Sequence, residues 1–239
     1  NSKSTQLRFR IQNMKIDFQL AWKIISVGFA PFARQLAVGF VLGLMNHSLY
    51  RYGGDSAVTG MGIAYSVSIL IIMPLQGLTQ GAQPIIGYNY GAKLYRRVRK
   101  TYKWAVISGS IFVGIVFFLI QLFPHIFVRL FTQDKGDILN MSIRCLRTMM
   151  LLLPIVAFQM ISSNYFQSVG KPIQSLLAGL SRQVLFQVPA VLILPKIWGL
   201  NGVFYALPAA DCLSSILTLA FMIFELKRLG KLIGIENAK

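Results

Sequence analysis

Residues 73–93 read MPLQGLTQGAQPIIGYNYGAK: the end of an apolar run that breaks into Gly, Pro, Gln and Asn and enters the densest basic cluster in the chain. Gly77, Gly81, Pro84, Gly87 and Gly91 recur every three or four residues, so one helix face carries almost no side-chain bulk. In lipid such a face admits a neighbouring helix at close range, and Pro84 removes one backbone donor near the helix end. The spacing alone predicts a tightly packed helix pair with a polar exit.

The rest of the chain has a membrane composition. Of 239 residues, 55% are apolar and 13% charged, with a mean hydropathy of +0.59; a soluble domain carries about 25% charged residues. Apolar runs long enough to cross a hydrocarbon core of about 30 Å lie at 24–49, 56–87, 104–127, 138–169, 173–194 and 202–225. The expected architecture is an all-α polytopic membrane protein with a six-helix bundle. Residues 1–23 form a basic cytoplasmic segment before it, and 226–239 a basic cytoplasmic tail. The separating turns are Tyr50–Asp55 with Gly53-Gly54 as breaker, the wetter stretch 129–137, Gly170-Lys171-Pro172, and 195–201. The chain opens Asn-Ser-Lys-Ser without an initiator Met, and is expected to be part of something longer.

Orientation follows from Lys and Arg alone. With the N-terminus inside, inner segments hold sixteen basic residues and outer segments four, the other four falling within spans. Both termini are therefore expected in the cytoplasm, in a multi-pass protein of the plasma membrane. The net charge of +17 reads as an inner rim facing anionic lipid, which leaves no role for nucleic acid.

Charged groups at bilayer depth are expensive, about 2.5–3.5 kcal/mol each on insertion scales. Arg34, Arg182 and Asp211 fall about nine or ten residues into their spans. One reading pairs Asp211 with Arg182 or Arg34 across packed helices; the other makes Asp211 a cation-coupling carboxylate. Uncharged polar groups that lipid cannot satisfy include Gln35, Asn46, Gln76, Gln159, Ser163 and Asn164. Interleaved with Met73, Phe158 and similar residues, they describe the wall of a cavity for bulky, greasy, partly polar molecules. That aromatic and Met set also fits plain packing. Cys145 and Cys212 sit in apolar runs and are expected to be buried thiols. There is no metal-ligand spacing, phosphate loop or nucleophile elbow, so neither catalysis nor a cofactor is expected.

Residues 80–92, QGAQPIIGYNYGA, followed by Arg96-Arg-Val-Arg99, closely resemble the end of the eighth helix in MATE transporters, the multidrug and toxic compound extrusion family. Val27–Phe32 resembles the start of that family's seventh helix, Tyr52–Asp55 its next loop, and Asn164–Pro172 its tenth-helix exit. Arg182 with Pro189 resembles the eleventh helix, and Gly202–Asp211 the twelfth. The resemblance implies the C-terminal six-helix lobe of a twelve-helix antiporter, whose N-terminal lobe would be the missing partner. It implies export of amphipathic, often cationic compounds (xenobiotics and antibiotics) in exchange for H⁺ or Na⁺, by rocking of two lobes about a central cleft. Some branches carry a cation-site Glu eight residues after the seventh-helix Pro; here that position is Gly39, and the tenth-helix acid is also missing from 142–167. Coupling would then rest on the other lobe, with this one supplying substrate wall. A lipid-linked saccharide flippase of the same superfamily remains an alternative, as does a stand-alone six-helix channel.

Overall fold

A computed structural model describes residues 18–134 and 136–237. It is 92% helical with no strand, as the apolar runs predict. Within the described residues the helices are α1 (Phe18–Gly91), α2 (Tyr95–Leu122), α3 (Pro124–Arg129), α4 (Asp137–Met149), α5 (Leu153–Ser168), α6 (Pro172–Leu180), α7 (Val188–Trp198) and α8 (Leu200–Asn237). A π-helical segment, Ser181–Gln187, joins α6 to α7 without a break. The chain divides into two compact units, 1–36 and 37–239. The described part of the first unit, 18–36, is helical; residues 1–17 of the expected cytoplasmic segment lie outside the described residues, as does the side chain of Arg34.

Gly54 breaks α1, with φ 68° and ψ −165°, a conformation open essentially to Gly alone. The expected turn at 50–55 thus shrinks to one residue, with helix running up to it on both sides. Residues 35–91 are apolar enough to cross a membrane, but a straight helix of that length would be about 85 Å long, nearly three membrane cores. Broken at Gly54, the second unit's part of the stretch makes two limbs, 37–53 and 55–91, each long enough for one crossing. With α2, the α4–α5 pair, α6–α7 and α8, the crossings number six.

Local sequence explains the other breaks. Gly170 (φ 73°) and Gly199 (φ 56°) take left-handed backbone conformations between helices. Pro124, Pro154 and Pro172 sit in a first turn, where the missing N–H has no helical partner to lose. Three features differ from the rods read in the sequence. The 138–169 run is bent by 52° between α4 and α5. The helix carrying Pro84 continues to Gly91. The basic tail is the last part of α8, helical through Asn237.

The core lies where α2, α5 and α8 meet the 55–91 limb of α1, and includes Val67, Leu75, Val98, Ile161, Phe204 and Met222. Cys145 is buried in it as expected, whereas Cys212 is exposed, on the outer side of α8 beside Leu213. Close approach depends on glycines other than those first read. A Cβ on Gly109 would come within 2.8 Å of Ile161 Cδ1, and one on Gly60 within 3.1 Å of the Ser142 backbone nitrogen. On the 73–93 stretch, Gly77, Gly81 and Gly91 have nothing within 4 Å of that position, and Gly87 alone meets a neighbour, the Ser168 carbonyl at 3.2 Å. The small-residue face is not a seam within this lobe. It is open.

Candidate functional site

The open face of the 55–91 limb is polar as well as small. Asp55, Thr59, Gly62, Met73, Gln76, Gly77, Gln80, Pro84 and Gly91 are exposed along it, at spacings that put them on one side of a 3.6-residue helix. The 37–53 limb has a similar face, with Gly39, Gly43, Asn46 and Tyr50 exposed at three- and four-residue steps. Gln35, also exposed, belongs to the first unit.

The other crossings expose something else. Along α2 the exposed side chains include Trp104, Ile111, Ile115, Phe118 and Leu122. Along α6–α7 they include Ile173, Leu177, Leu185, Ile193 and Ile197, and along α8 Leu213, Ile216, Leu219 and Phe224. These are surfaces that hydrocarbon serves well. The faces carrying Asn46, Gln76 and Gln80 are not, because lipid leaves an amide's donors and acceptors unmet.

The structure divides the residues expected to line a cavity. Asn46, Met73 and Gln76 lie on the open faces, Met73 being 61% exposed. Gln159, 4% exposed, is instead wedged against α6. Its Nε2 donates to the Ala178 carbonyl at 3.2 Å, while its Oε1 finds no partner among the described residues. Ser163 and Ser175 exchange hydroxyl-to-carbonyl bonds of 3.1 and 3.0 Å between α5 and α6. Asn164 turns back on its own helix, donating to the Met160 carbonyl at 3.0 Å, and Phe158 is half-buried at the core's edge. The α5 amides and hydroxyls therefore stitch helices together; α1 carries the exposed ones. Two hollows are formed by described residues: one of about 420 Å³ at Trp198, Asn201 and Tyr205, the other of about 250 Å³ walled by Leu70, Phe112, Phe127 and neighbours. Neither includes a residue of the expected cavity.

Two of the three charges expected at depth, Arg182 and Asp211, are matched to each other. Arg182 Nε donates to Asp211 Oδ1 at 2.5 Å, with the Asp211 carboxylate almost wholly buried and the Arg182 side chain 26% exposed. Arg182 lies in the π-helical segment. The two other arginines within the runs are held near the opposite end of the lobe. Arg144 donates to Asn201 Oδ1 and lies over the Phe204 ring. Arg147 and Gln121 exchange bonds with each other's carbonyls at 3.0 Å.

One cluster had no forecast. Glu225, 4% exposed on α8, forms an ion pair with Lys171 in the α5–α6 turn and accepts a bond from the Tyr165 hydroxyl at 3.3 Å. Tyr165 meets Tyr102 edge-on, and the Tyr102 hydroxyl bonds Ser162 at 2.8 Å. The signal was present as an acid closing the last apolar run opposite a lysine in a Gly-Lys-Pro turn, but neither residue looked buried from its own neighbours. Among the described residues, no group of three or more His, Cys, Asp or Glu side chains could hold a metal ion.

Comparison with known proteins gives a consistent answer. The family model described as MatE matches residues 31–193. "Multidrug export protein MepA" of Staphylococcus haemolyticus is 21% identical over 225 residues, 94% of this chain and 49% of that protein. The protein of the same name from Staphylococcus aureus is 23% identical over 86% of this chain and 45% of its own length. Among solved structures, the MATE multidrug transporter DinF-BH, in a ligand complex, superposes with a TM-score of 0.76 at 34% identity, covering 91% of this chain and 48% of that one. An inward-facing MATE transporter of the MOP superfamily superposes at 0.83 with 21% identity, covering 93% and 51%. The chain spans about half the length of the curated relatives it matches.

Proposed function

This chain belongs to the MatE family, and on that premise we propose that it forms one six-helix lobe of a multidrug efflux transporter, its two α1 limbs walling a central cleft. The observation that carries the reading is the uneven distribution of exposed polarity. Three crossings, α2, α6–α7 and α8, present hydrocarbon-like surface, while the 37–53 and 55–91 limbs present Asn46, Gln76, Gln80 and a row of glycines. Such a surface needs water, an amphipathic ligand or a second bundle beside it. A cleft shared with a partner lobe supplies all three in turn as it opens and closes.

The transport cycle follows from that geometry. A greasy molecule with polar edges packs on Met73 and the glycine-lined groove, whose lack of side chains lets flat rings approach the backbone. Gln76, Gln80 and Asn46 exchange hydrogen bonds with its polar edge and with water when it leaves. Alternating access then rocks this lobe against its partner, in exchange for H⁺ or Na⁺. This lobe offers little for the coupling ion: Asp211 is committed to Arg182 and Glu225 to Lys171. The coupling carboxylate is assigned to the partner lobe. The basic ends, 93–103 and 227–231, face the cytoplasm of a plasma-membrane protein. A saccharide flippase gains no support, since Arg182 spends its charge on Asp211 rather than on a pyrophosphate.

Site-directed labelling tests the wall. In the full-length protein with Cys212→Ser, cysteines replacing Gln76, or Ser66 four residues after Gly62 on the same helix side, should react with a hydrophilic maleimide and be protected by a transported cationic dye with a flat aromatic ring system. A cysteine replacing Ile115, on the α2 lipid face, should not react. Inert cysteines at 76 and 66 would place those faces in lipid and end the cleft reading. Reconstituted full-length protein that moves no dye or cationic drug under a proton or sodium gradient would end the transport reading.

A further inference from the structure

We propose that the start of α2 and the end of α8 together form a docking surface for anionic phospholipid headgroups. Six basic residues occupy 93–103. Arg96, Arg99, Lys100 and Lys103 recur at three- and four-residue steps, which places them on one helix face, opposite the buried Val98 and Tyr102. Lys93, Arg97, Arg99, Lys100 and Lys103 are all exposed. On α8, Lys227, Arg228 and Lys231 are exposed as well.

The two groups converge. Val98 and Leu229 are buried in one apolar cluster, with Tyr90 and Tyr95 packed against it. The Tyr90 ring meets Tyr95 edge-on at 5.7 Å, and Tyr90 lies close enough to Arg228 and Glu225 to interact with both charges.

No ion pair among the described residues involves Lys93, Arg97, Arg99, Lys100, Lys103, Lys227, Arg228 or Lys231. Asp211 and Glu225 are taken by Arg182 and Lys171, while Asp55, Asp134 and Asp137 belong to the turns at the opposite end of these helices. Among the described side chains no acid is left to neutralise these eight basic groups, and an anionic headgroup supplies the missing charge. Trp104, 59% exposed and one turn beyond Lys100, and Tyr88, 78% exposed, are side chains suited to the headgroup boundary. The basic face is therefore held at the depth of lipid phosphates. Because basic groups near a membrane surface each add about fivefold in affinity for anionic lipid, a patch this dense selects strongly.

Trp104 is itself the probe. The full-length protein, with its other tryptophans replaced by Phe, is placed in vesicles of phosphatidylcholine with brominated phosphatidylglycerol or, separately, brominated phosphatidylcholine. Quenching of Trp104 should show a preference for the anionic lipid of about fivefold or more, falling as salt is raised. Arg97→Gln with Arg99→Gln and Lys100→Gln should bring the preference close to one. Lys227→Gln with Lys231→Gln should lower it although these residues are on another helix, and Lys196→Gln at the far end should leave it unchanged. Equal quenching by both lipids in the unsubstituted protein overturns the proposal, as does a preference insensitive to the α8 substitutions. Loss of the preference on adding inorganic phosphate at fixed ionic strength overturns it too, since the site would then take a free anion. The salt titration needs no variant, so a substitution that fails to fold does not shelter the idea. The readout is lipid contact, and it stands or falls separately from dye transport.

Discussion

Removing either member of the Arg182–Asp211 pair tests whether the mid-membrane acid is structural. Arg182→Gln leaves a carboxylate whose side chain is 3% exposed with no counter-charge, and a broken buried pair costs about 3–5 kcal/mol. Asp211→Asn leaves the guanidinium instead. Because that side chain is 26% exposed it recovers part of its hydration, and the loss should be smaller, about 2–3 kcal/mol. At about 2–4 °C per kcal/mol for a domain of this size, melting should fall by about 6–20 °C for Arg182→Gln and about 4–12 °C for Asp211→Asn. Replacing both, Arg182→Gln with Asp211→Asn, removes the two charges together and should cost well below the sum of the two single losses. The double-mutant cycle then shows a coupling of about 2 kcal/mol or more. Thermal unfolding in detergent followed by fluorescence-detected size exclusion measures the four corners, and ion-to-drug stoichiometry in proteoliposomes is recorded beside it. The reasoning predicts that Asp211→Asn lowers folded yield more than it alters stoichiometry. A variant that melts like the parent while uncoupling transport would make Asp211 a coupling residue, and strictly additive losses would dissolve the pair.

Other predictions separate the packing of the lobe from its open wall. Gly202→Ala puts a Cβ 2.2 Å from the Leu194 carbonyl oxygen, where backbone must move, and should cost about 3 kcal/mol or more in unfolding assays. Gly77→Ala has nothing within 4 Å and should hold or raise stability by about 0.5–1 kcal/mol, while weakening dye transport if the groove receives flat ligands; loss of fold at this position would mean a packed face. Gly54→Ala also has free space, so its expected cost of about 1–3 kcal/mol is backbone strain alone, read as a lower melting temperature that Gly62→Ala does not share. In the Lys171–Glu225 cluster, Tyr165→Phe removes one hydrogen bond and should cost about 1 kcal/mol. Glu225→Gln leaves Lys171 unpaired and should cost about 2–3 kcal/mol, both measured by the same melting assay.

How far the sequence could be read depended on the kind of question. Hydropathy and breakers locate rods because a span needs a length of apolar chain whatever surrounds it, and Gly54, Gly170 and Gly199 mark their own turns through backbone freedom. The six-helix membrane fold was legible for that reason. Which face of a rod has a partner was not. Gln76 and Gln159 are the same side chain in similar apolar, Met-containing surroundings, yet one is exposed on α1 and the other is wedged under α6 and bonded to Ala178. Gly77 and Gly109 part company in the same way, one facing open space and the other touching Ile161. Periodicity says which residues share a face; only the packing says whether that face is covered. Lys171 and Glu225, fifty-four positions apart, were invisible as a pair for the same reason.

The way the polar groups divide is itself the strongest argument for a cleft. Were buried polarity merely tolerated throughout the lobe, amides and hydroxyls would be satisfied or stranded on every helix alike. Instead α5 and α6 consume theirs in reciprocal bonds such as Ser163 with Ser175, and Arg182 and Asp211 consume each other. The α2, α7 and α8 exteriors are left almost wholly apolar. The exposed amides Asn46, Gln76 and Gln80 are gathered on two consecutive limbs joined at Gly54. Among the described residues, three buried side-chain atoms, on Gln159, Gln183 and Ser215, stay unpaired; the others are bonded, and the α1 face is the polar surface the lobe does not complete by itself. That surface has the chemistry of a wall whose other side is water, ligand or a second bundle.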